Sequence, residues 1–153
     1  QYAATFGYTV WLRPQDPWLG KGVAASGPVA TRLGLSGVPV SAETIALHTL
    51  IELVRATGAR VHLARLSCAD AVAQVRLAKQ QGLPVTCDVA IHHVHLCDID
   101  IGFFDSQCRL VPPLRSSATS SRWPRARTTS HAGSPLRPRC RICRSPRGAA
   151  WKA

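Results

Sequence analysis

The chain has 153 residues, 46% of them apolar, which allows one ordinary domain with a packed core and little more. A formal net charge of +11 first suggests a polyanion partner. Residues 1–115, however, hold ten Lys/Arg against eight Asp/Glu, whereas residues 116–153 hold nine Lys/Arg and no acid, so the basicity belongs to the tail and argues against a nucleic-acid-binding body.

In chain order, Gln1 to Phe6 followed by Gly7 resembles the last turn of a helix and its cap. With no methionine anywhere, this predicts a chain that has lost what preceded it. Tyr8 to Leu12 is a β-branched and aromatic run ending at Arg13-Pro14, and it predicts a short buried strand. Residues 14–40 are rich in Gly and Pro without a sustained period, which predicts a long loop. Ser41 is a candidate N-cap for a helix over 42–57, with Ala46, Leu50, Leu53 and Val54 on its inward face and Gly58 as its stop. Arg60 to Leu66 predicts a second strand. Ser67-Cys68-Ala69-Asp70 has capping-box spacing ahead of a helix that runs to Gln81 with Val72, Val75 and Ala78 inward. Gly82 and Pro84 end that helix, and Val85 to Ile91 predicts the third strand.

The order β-loop-α-β-α-β implies an α/β fold with parallel strands and right-handed crossovers. Three such units are too few for a closed eight-stranded barrel of roughly 250 residues. That leaves a small open α/β sheet or a piece of a larger barrel. From Ser116 onward Ser, Arg, Pro, Thr and Ala dominate, which predicts a disordered basic tail over 116–153. The six cysteines, at 68, 87, 97, 108, 140 and 143, form no secreted-domain framework. Without a signal peptide or long apolar span, the expectation is a cytoplasmic protein with reduced thiols and no membrane contact.

Four segments resemble the class I bacterial dihydroorotases, members of the amidohydrolase superfamily. Leu33-Gly34-Leu35-Ser36-Gly37-Val38-Pro39-Val40-Ser41-Ala42-Glu43 resembles their Leu-Gly-x-x-Gly-x-Pro-x-x-Ala-Glu loop. Thr57 to Ser67 resembles their sixth-strand segment. Gly82 to Val89 with His92-His93 resembles the seventh strand, and Val111-Pro112-Pro113-Leu114-Arg115 the Pro-Pro-Leu-Arg element that follows. The resemblance covers residues 1–115 and implies a partial TIM-type (β/α)8 barrel, about strands five to seven. It implies metal-assisted opening of the cyclic amide of dihydroorotate, in pyrimidine biosynthesis, at the C-terminal ends of the strands.

The site residues depart from that pattern. Where the family has a metal-ligating His in a His-x-Glu-Asp context, this chain has Arg13-Pro14-Gln15-Asp16. Where a second ligand stands in Cys-His-x-Ser, it has Ala64-Arg65-Leu66-Ser67, and where an Asn contacts substrate it has Val111. Guanidinium has no lone pair for a metal, and valine has no amide. Arg13 and Arg65 are thus degenerate metal-ligand positions and Val111 a degenerate substrate position. Asp16, His92 and His93 are candidate pocket-lining residues. The family's other ligands, a His-x-His and an Asp, lie outside the matched stretch.

The expectation is therefore a chain with no catalytic residues and no bound zinc, although active relatives carry zinc. It resembles the dihydroorotase-like subunits that assemble with aspartate carbamoyltransferase, which implies that enzyme's catalytic chain as partner and a structural role. Two alternatives stand beside it: a piece of an active zinc dihydroorotase, and a basic polyanion-binding module carried by the tail. The tail also admits a reading-frame account. If GC-rich codons are assumed, a one-base shift over Ala118 to Ala126 can give Arg-Asp-Leu-Val-Ala-Leu-Ala-Ala-Gly, an amphipathic continuation after Pro-Pro-Leu-Arg.

Other signals have plainer readings. Cys140-x-x-Cys143 has zinc-knuckle spacing but no second pair of ligands. In an extended His92-His93-Val94-His95, His93 and His95 would share one face, as structural or pocket-lining groups. His62 is expected as a hydrogen-bonded core or helix-facing residue, and His48 on a helix surface or at an interface. Arg13 and Arg65 fit either an anion site or ion pairs with Asp16 or Asp88.

Overall fold

The structure is a computed structural model that describes residues 1–120. Three strands, β1 (Thr9–Leu12), β4 (Arg60–Leu63) and β5 (Val85–Cys87), form a parallel sheet in the order β1-β4-β5. The register sets Leu12 beside Leu63 and Leu63 beside Cys87. Parallel neighbours need crossovers, and α3 (Ser41–Thr57) and α4 (Ala69–Gln80) supply them. One face of the sheet, Val10, Leu12, Val61, Leu63, Val85 and Cys87, packs into the core with both helices. The other face carries Thr9, Trp11, Arg60, His62 and Thr86. It has no helix over it among the described residues, and Trp11 is 70% exposed.

Glycines punctuate the chain where left-handed backbone is needed. After α1 (Tyr2–Thr5), Gly7 turns at φ +67, and Gly58 at φ +66 returns its N–H to Val54 O to close α3.

Several boundaries differ from the sequence expectation, each for a local reason. The 14–40 region is not all loop: β2 (Ala24–Ala25) and β3 (Gly37–Val38) pair in parallel around α2 (Pro28–Leu33). Ser41 lies inside α3, and Val40 is the N-cap. The buried stripe of α3 is Ala42, Glu43, Leu47, Ile51 and Val54. Leu53, expected inward, is 55% exposed, because α3 meets β4 and α4 along the neighbouring stripe. α4 starts after Cys68 without a side-chain cap, Ser67 being engaged elsewhere.

Strand β4 stops at Leu63 rather than Leu66, because Arg65 turns into the left-handed region at φ +56. Strand β5 stops at Cys87 rather than Ile91. The chain then forms a short helix, α5 (Ile91–His95), so the expected alternation of His92, His93 and His95 on a strand does not hold. Residues 116–120 form a turn beside the start of α4: Ala69 N–H donates to Thr119 O at 3.2 Å, and Ser120 bridges Cys68. The frame-shift, Cys140/Cys143 and remaining tail expectations lie outside the described residues, apart from this turn. Among the described residues, no helix is long and apolar enough to cross a membrane.

Candidate functional site

The strand register brings the two arginines to one edge. Arg13 directly follows β1, and Arg65 follows β4 by two residues. The strands are neighbours, and Ala64 N–H donates to Leu12 O at 2.8 Å, so both arginines leave from adjacent strands at the C-terminal edge of the sheet. Both are exposed. The backbone turn at Arg65 is clamped from β5: Arg65 N–H donates to Asp88 Oδ1 at 2.5 Å and Leu66 N–H to Asp88 O at 3.0 Å.

The second carboxylate oxygen of Asp88 is taken by His62, whose Nε2 lies 3.0 Å from Oδ2. A carboxylate only accepts, so Nε2 carries a proton, and Nδ1 lies 2.8 Å from the Thr86 hydroxyl. The His62 ring also lies 4.3 Å from Trp11. His62 is hydrogen-bonded, as expected, but sits on the face away from the helices.

The other candidates fall elsewhere. Asp16 Oδ1 accepts from the N–H groups of Trp18 (2.9 Å) and Leu19 (2.8 Å), so its carboxylate closes its own turn. Neither Asp16 nor Asp88 pairs with an arginine, and among the described residues the side chains of Arg13 and Arg65 make no hydrogen bond or ion pair. Val111 lines a separate cleft with Gln15, Val23, Val38, Arg109 and Leu110. His92 is exposed. His93 is buried, its Nε2–H donates to Pro112 O at 3.0 Å, and its Nδ1 has no partner among the described residues. Burial holds the His93 imidazole below its ordinary pKa.

One constellation was not anticipated. Glu43, at the start of α3, is 3% exposed and faces Ser67 and Arg115, also buried. Its Oε1 accepts from Ser67 N–H at 2.8 Å and its Oε2 from the Ser67 hydroxyl. Arg115 donates from Nε to Ser67 Oγ at 3.1 Å and from Nη1 to Val38 O at 2.7 Å, with Nη2 3.7 Å from Glu43 Oε2. Ser67 is thus the bridge of a buried ion pair. The adjoining Cys68 thiol is pushed up to about 12, by burial first and then by Glu43. A signal was present: Glu43, Ser67 and Arg115 each end one of the motifs quoted above.

The donor set at the strand ends does not fit zinc. Arginine supplies no lone pair, and among the described residues no group of three or more His, Cys, Asp or Glu side chains is placed to hold an ion.

Comparison with known proteins accords with this architecture. The chain is 44% identical over 120 residues to a "Dihydroorotase" of Anaeromyxobacter sp. (strain K), a match that covers 76% of this chain and 28% of that protein. It is likewise 44% identical over 119 residues to a "Dihydroorotase-like protein" of Pseudomonas aeruginosa, covering 77% of this chain and 28% of the relative. The chain carries a dihydroorotase-family segment. It spans about 28% of the length of the curated relatives it matches. No family model matches the chain.

Among solved structures, the dihydroorotase segment superposes on an L-hydantoinase (dihydropyrimidinase) of Arthrobacter aurescens with a TM-score of 0.65 at 20% identity, covering 77% of this chain and 27% of that one. A D-hydantoinase of a Thermus species gives 0.61 at 22% identity, covering 76% and 27%. These likenesses establish the fold: parallel β/α units of a TIM-type barrel. In such a barrel the helix-free face of the sheet, with Trp11 and His62, is the interior, and the edge with Arg13 and Arg65 is the C-terminal end of the strands.

Proposed function

We propose that this chain is a dihydroorotase-like protein of pyrimidine biosynthesis that is non-catalytic and serves a structural role, supporting assembly of the catalytic chain of aspartate carbamoyltransferase. The observation that carries the non-catalytic part is the placement of Arg13 and Arg65 at the C-terminal ends of adjacent strands, where the resemblance expects metal-ligating imidazoles. A cation without a lone pair repels a dication, so no metal-bound water is organised there. Beneath that edge the buried Glu43–Ser67–Arg115 cluster ties α3, the turn after β4 and the Pro-Pro-Leu-Arg element together. The partner follows from the resemblance to subunits of that kind.

The test is zinc content and dihydroorotate turnover of the purified full chain, with size-exclusion chromatography after co-expression with an aspartate carbamoyltransferase catalytic chain. The expected result is no stoichiometric zinc, no turnover and co-elution. Stoichiometric zinc with ring opening favours the active-enzyme reading instead, and separate elution removes the assembly role.

A further inference from the structure

Among the described residues neither guanidinium at the sheet edge has a counter-charge, and the carboxylates of Asp16 and Asp88 are committed. Asp16 is held by the Trp18 and Leu19 N–H groups, and Asp88 by Arg65 N–H and His62. Arg65 is moreover fixed in a backbone conformation that L-residues seldom adopt, clamped by two hydrogen bonds to Asp88. Two unpaired cations leaving adjacent strands at one edge attract an anion between them.

We propose that Arg13 and Arg65 form a binding site for one small oxyanion, a carboxylate or a phosphate group, at the C-terminal edge of the sheet. Guanidinium suits this ligand class, because its planar fork donates paired hydrogen bonds to two oxygens of one group. The location suits it too, since α/β proteins bind ligands beyond the carboxyl ends of their parallel strands. His62, its Nε2–H committed to Asp88, and the exposed Trp11 ring lie on the helix-free face of the same two strands. The site goes beyond the structural role proposed above, sharing with it only the placement of the two arginines.

The experiment is isothermal titration of the full chain with inorganic phosphate and, separately, with succinate, in wild type and in Arg13→Gln, Arg65→Gln and Arg76→Gln. Arg76 is an exposed arginine on α4 and controls for general loss of charge. A variant with Arg137, Arg139 and Arg141 changed to Gln controls for the basic tail. One of the two anions should bind with unit stoichiometry. Arg13→Gln and Arg65→Gln should each weaken it about tenfold, the effect of losing a charge-assisted hydrogen bond. Arg76→Gln and the tail variant should match wild type. The anion that binds identifies the group as phosphate or carboxylate. Absence of binding by both anions overturns the site, as does equal affinity in Arg13→Gln and Arg65→Gln, or binding lost only with the tail arginines. Zinc measured on the same preparation separates the readings: neither anion binding nor zinc sinks this site alone, whereas stoichiometric zinc sinks the non-catalytic reading.

Discussion

Replacing Arg115 by Met should be among the most damaging single changes in this chain. Arg115 is 3% exposed, and its methylene stem is matched by the methionine side chain, so the loss falls on the polar head. That head donates to Val38 O at 2.7 Å and to Ser67 Oγ at 3.1 Å, and it faces Glu43 Oε2 at 3.7 Å. Without it, Val38 O keeps only the Ser26 N–H as a donor, and Glu43 is a buried carboxylate with only Ser67 and the Cys68 N–H to solvate it. Removing one partner of a buried pair costs about 3–5 kcal/mol. Against a typical domain stability of about 5–15 kcal/mol, that is a large fraction of the whole. Glu43→Gln strands the guanidinium instead and should cost a similar amount. The Glu43→Gln/Arg115→Met double variant should lose less than the sum of the two, with a coupling of about 1–3 kcal/mol, because each single change already breaks the shared network. The assay is urea unfolding followed by far-ultraviolet circular dichroism. Loss of the cooperative transition in Arg115→Met agrees with the prediction. A cost below about 1 kcal/mol, or strict additivity in the double variant, refutes the network.

The face of α3 can be tested by truncation. Leu47→Ala, at 0% exposure, should cost about 2–5 kcal/mol in the same assay. Leu53→Ala, on another face of the same helix at 55% exposure, should stay within about 0.5–1 kcal/mol, and equal costs would show that the packed stripe is misplaced. His93 predicts a pH dependence. Its folded pKa lies below the unfolded 6.5, so the unfolded chain binds more protons on acidification. The contribution of neutral His93 is therefore full above about pH 6.5 and is lost as pH falls toward the folded value. The stability advantage of wild type over His93→Gln should shrink over that window, and parallel stability curves would contradict it.

The order of elements was legible because apolar runs near 8–12, 60–66 and 85–91 are separated by helical stretches and glycine stops. Their ends were not. Both β4 and β5 finish where the N–H groups of Arg65 and Leu66 donate to Asp88 across strands, a tertiary event that period-two alternation does not encode. The inward face of α3 was illegible for another reason. Ile45, Ala46, Leu47, Leu50, Ile51, Leu53 and Val54 surround much of the helix, so apolar periodicity admits more than one stripe. The decisive marker was polar: Glu43 turns inward because Ser67 and Arg115 wait there, 24 and 72 residues further along the chain. Of the candidate site, Arg13 and Arg65 came together at one edge, whereas Asp16, Val111 and His93 went to a loop turn, a separate cleft and a buried contact with Pro112.

What holds this fold and what occupies its functional end are separable, and Arg65 is where the separation can be measured. A non-glycine residue at φ +56 carries a conformational cost, roughly 1–2 kcal/mol for an ordinary L-residue. Asparagine and histidine adopt that region more readily than arginine does. The clamp on the turn uses only the backbone N–H of Arg65, which any non-proline residue keeps. The guanidinium itself has no partner among the described residues, so the fold gains nothing from it that asparagine would forfeit. Arg65→Asn should therefore unfold at the same urea concentration as wild type or a higher one, by up to about 1 kcal/mol. Arg65→Pro, which removes the clamped N–H and forbids the φ, should lose about 3 kcal/mol or more. If Arg65→Asn instead destabilises the chain by more than about 1 kcal/mol, the arginine is part of the scaffold, and its presence at the strand end needs no functional explanation.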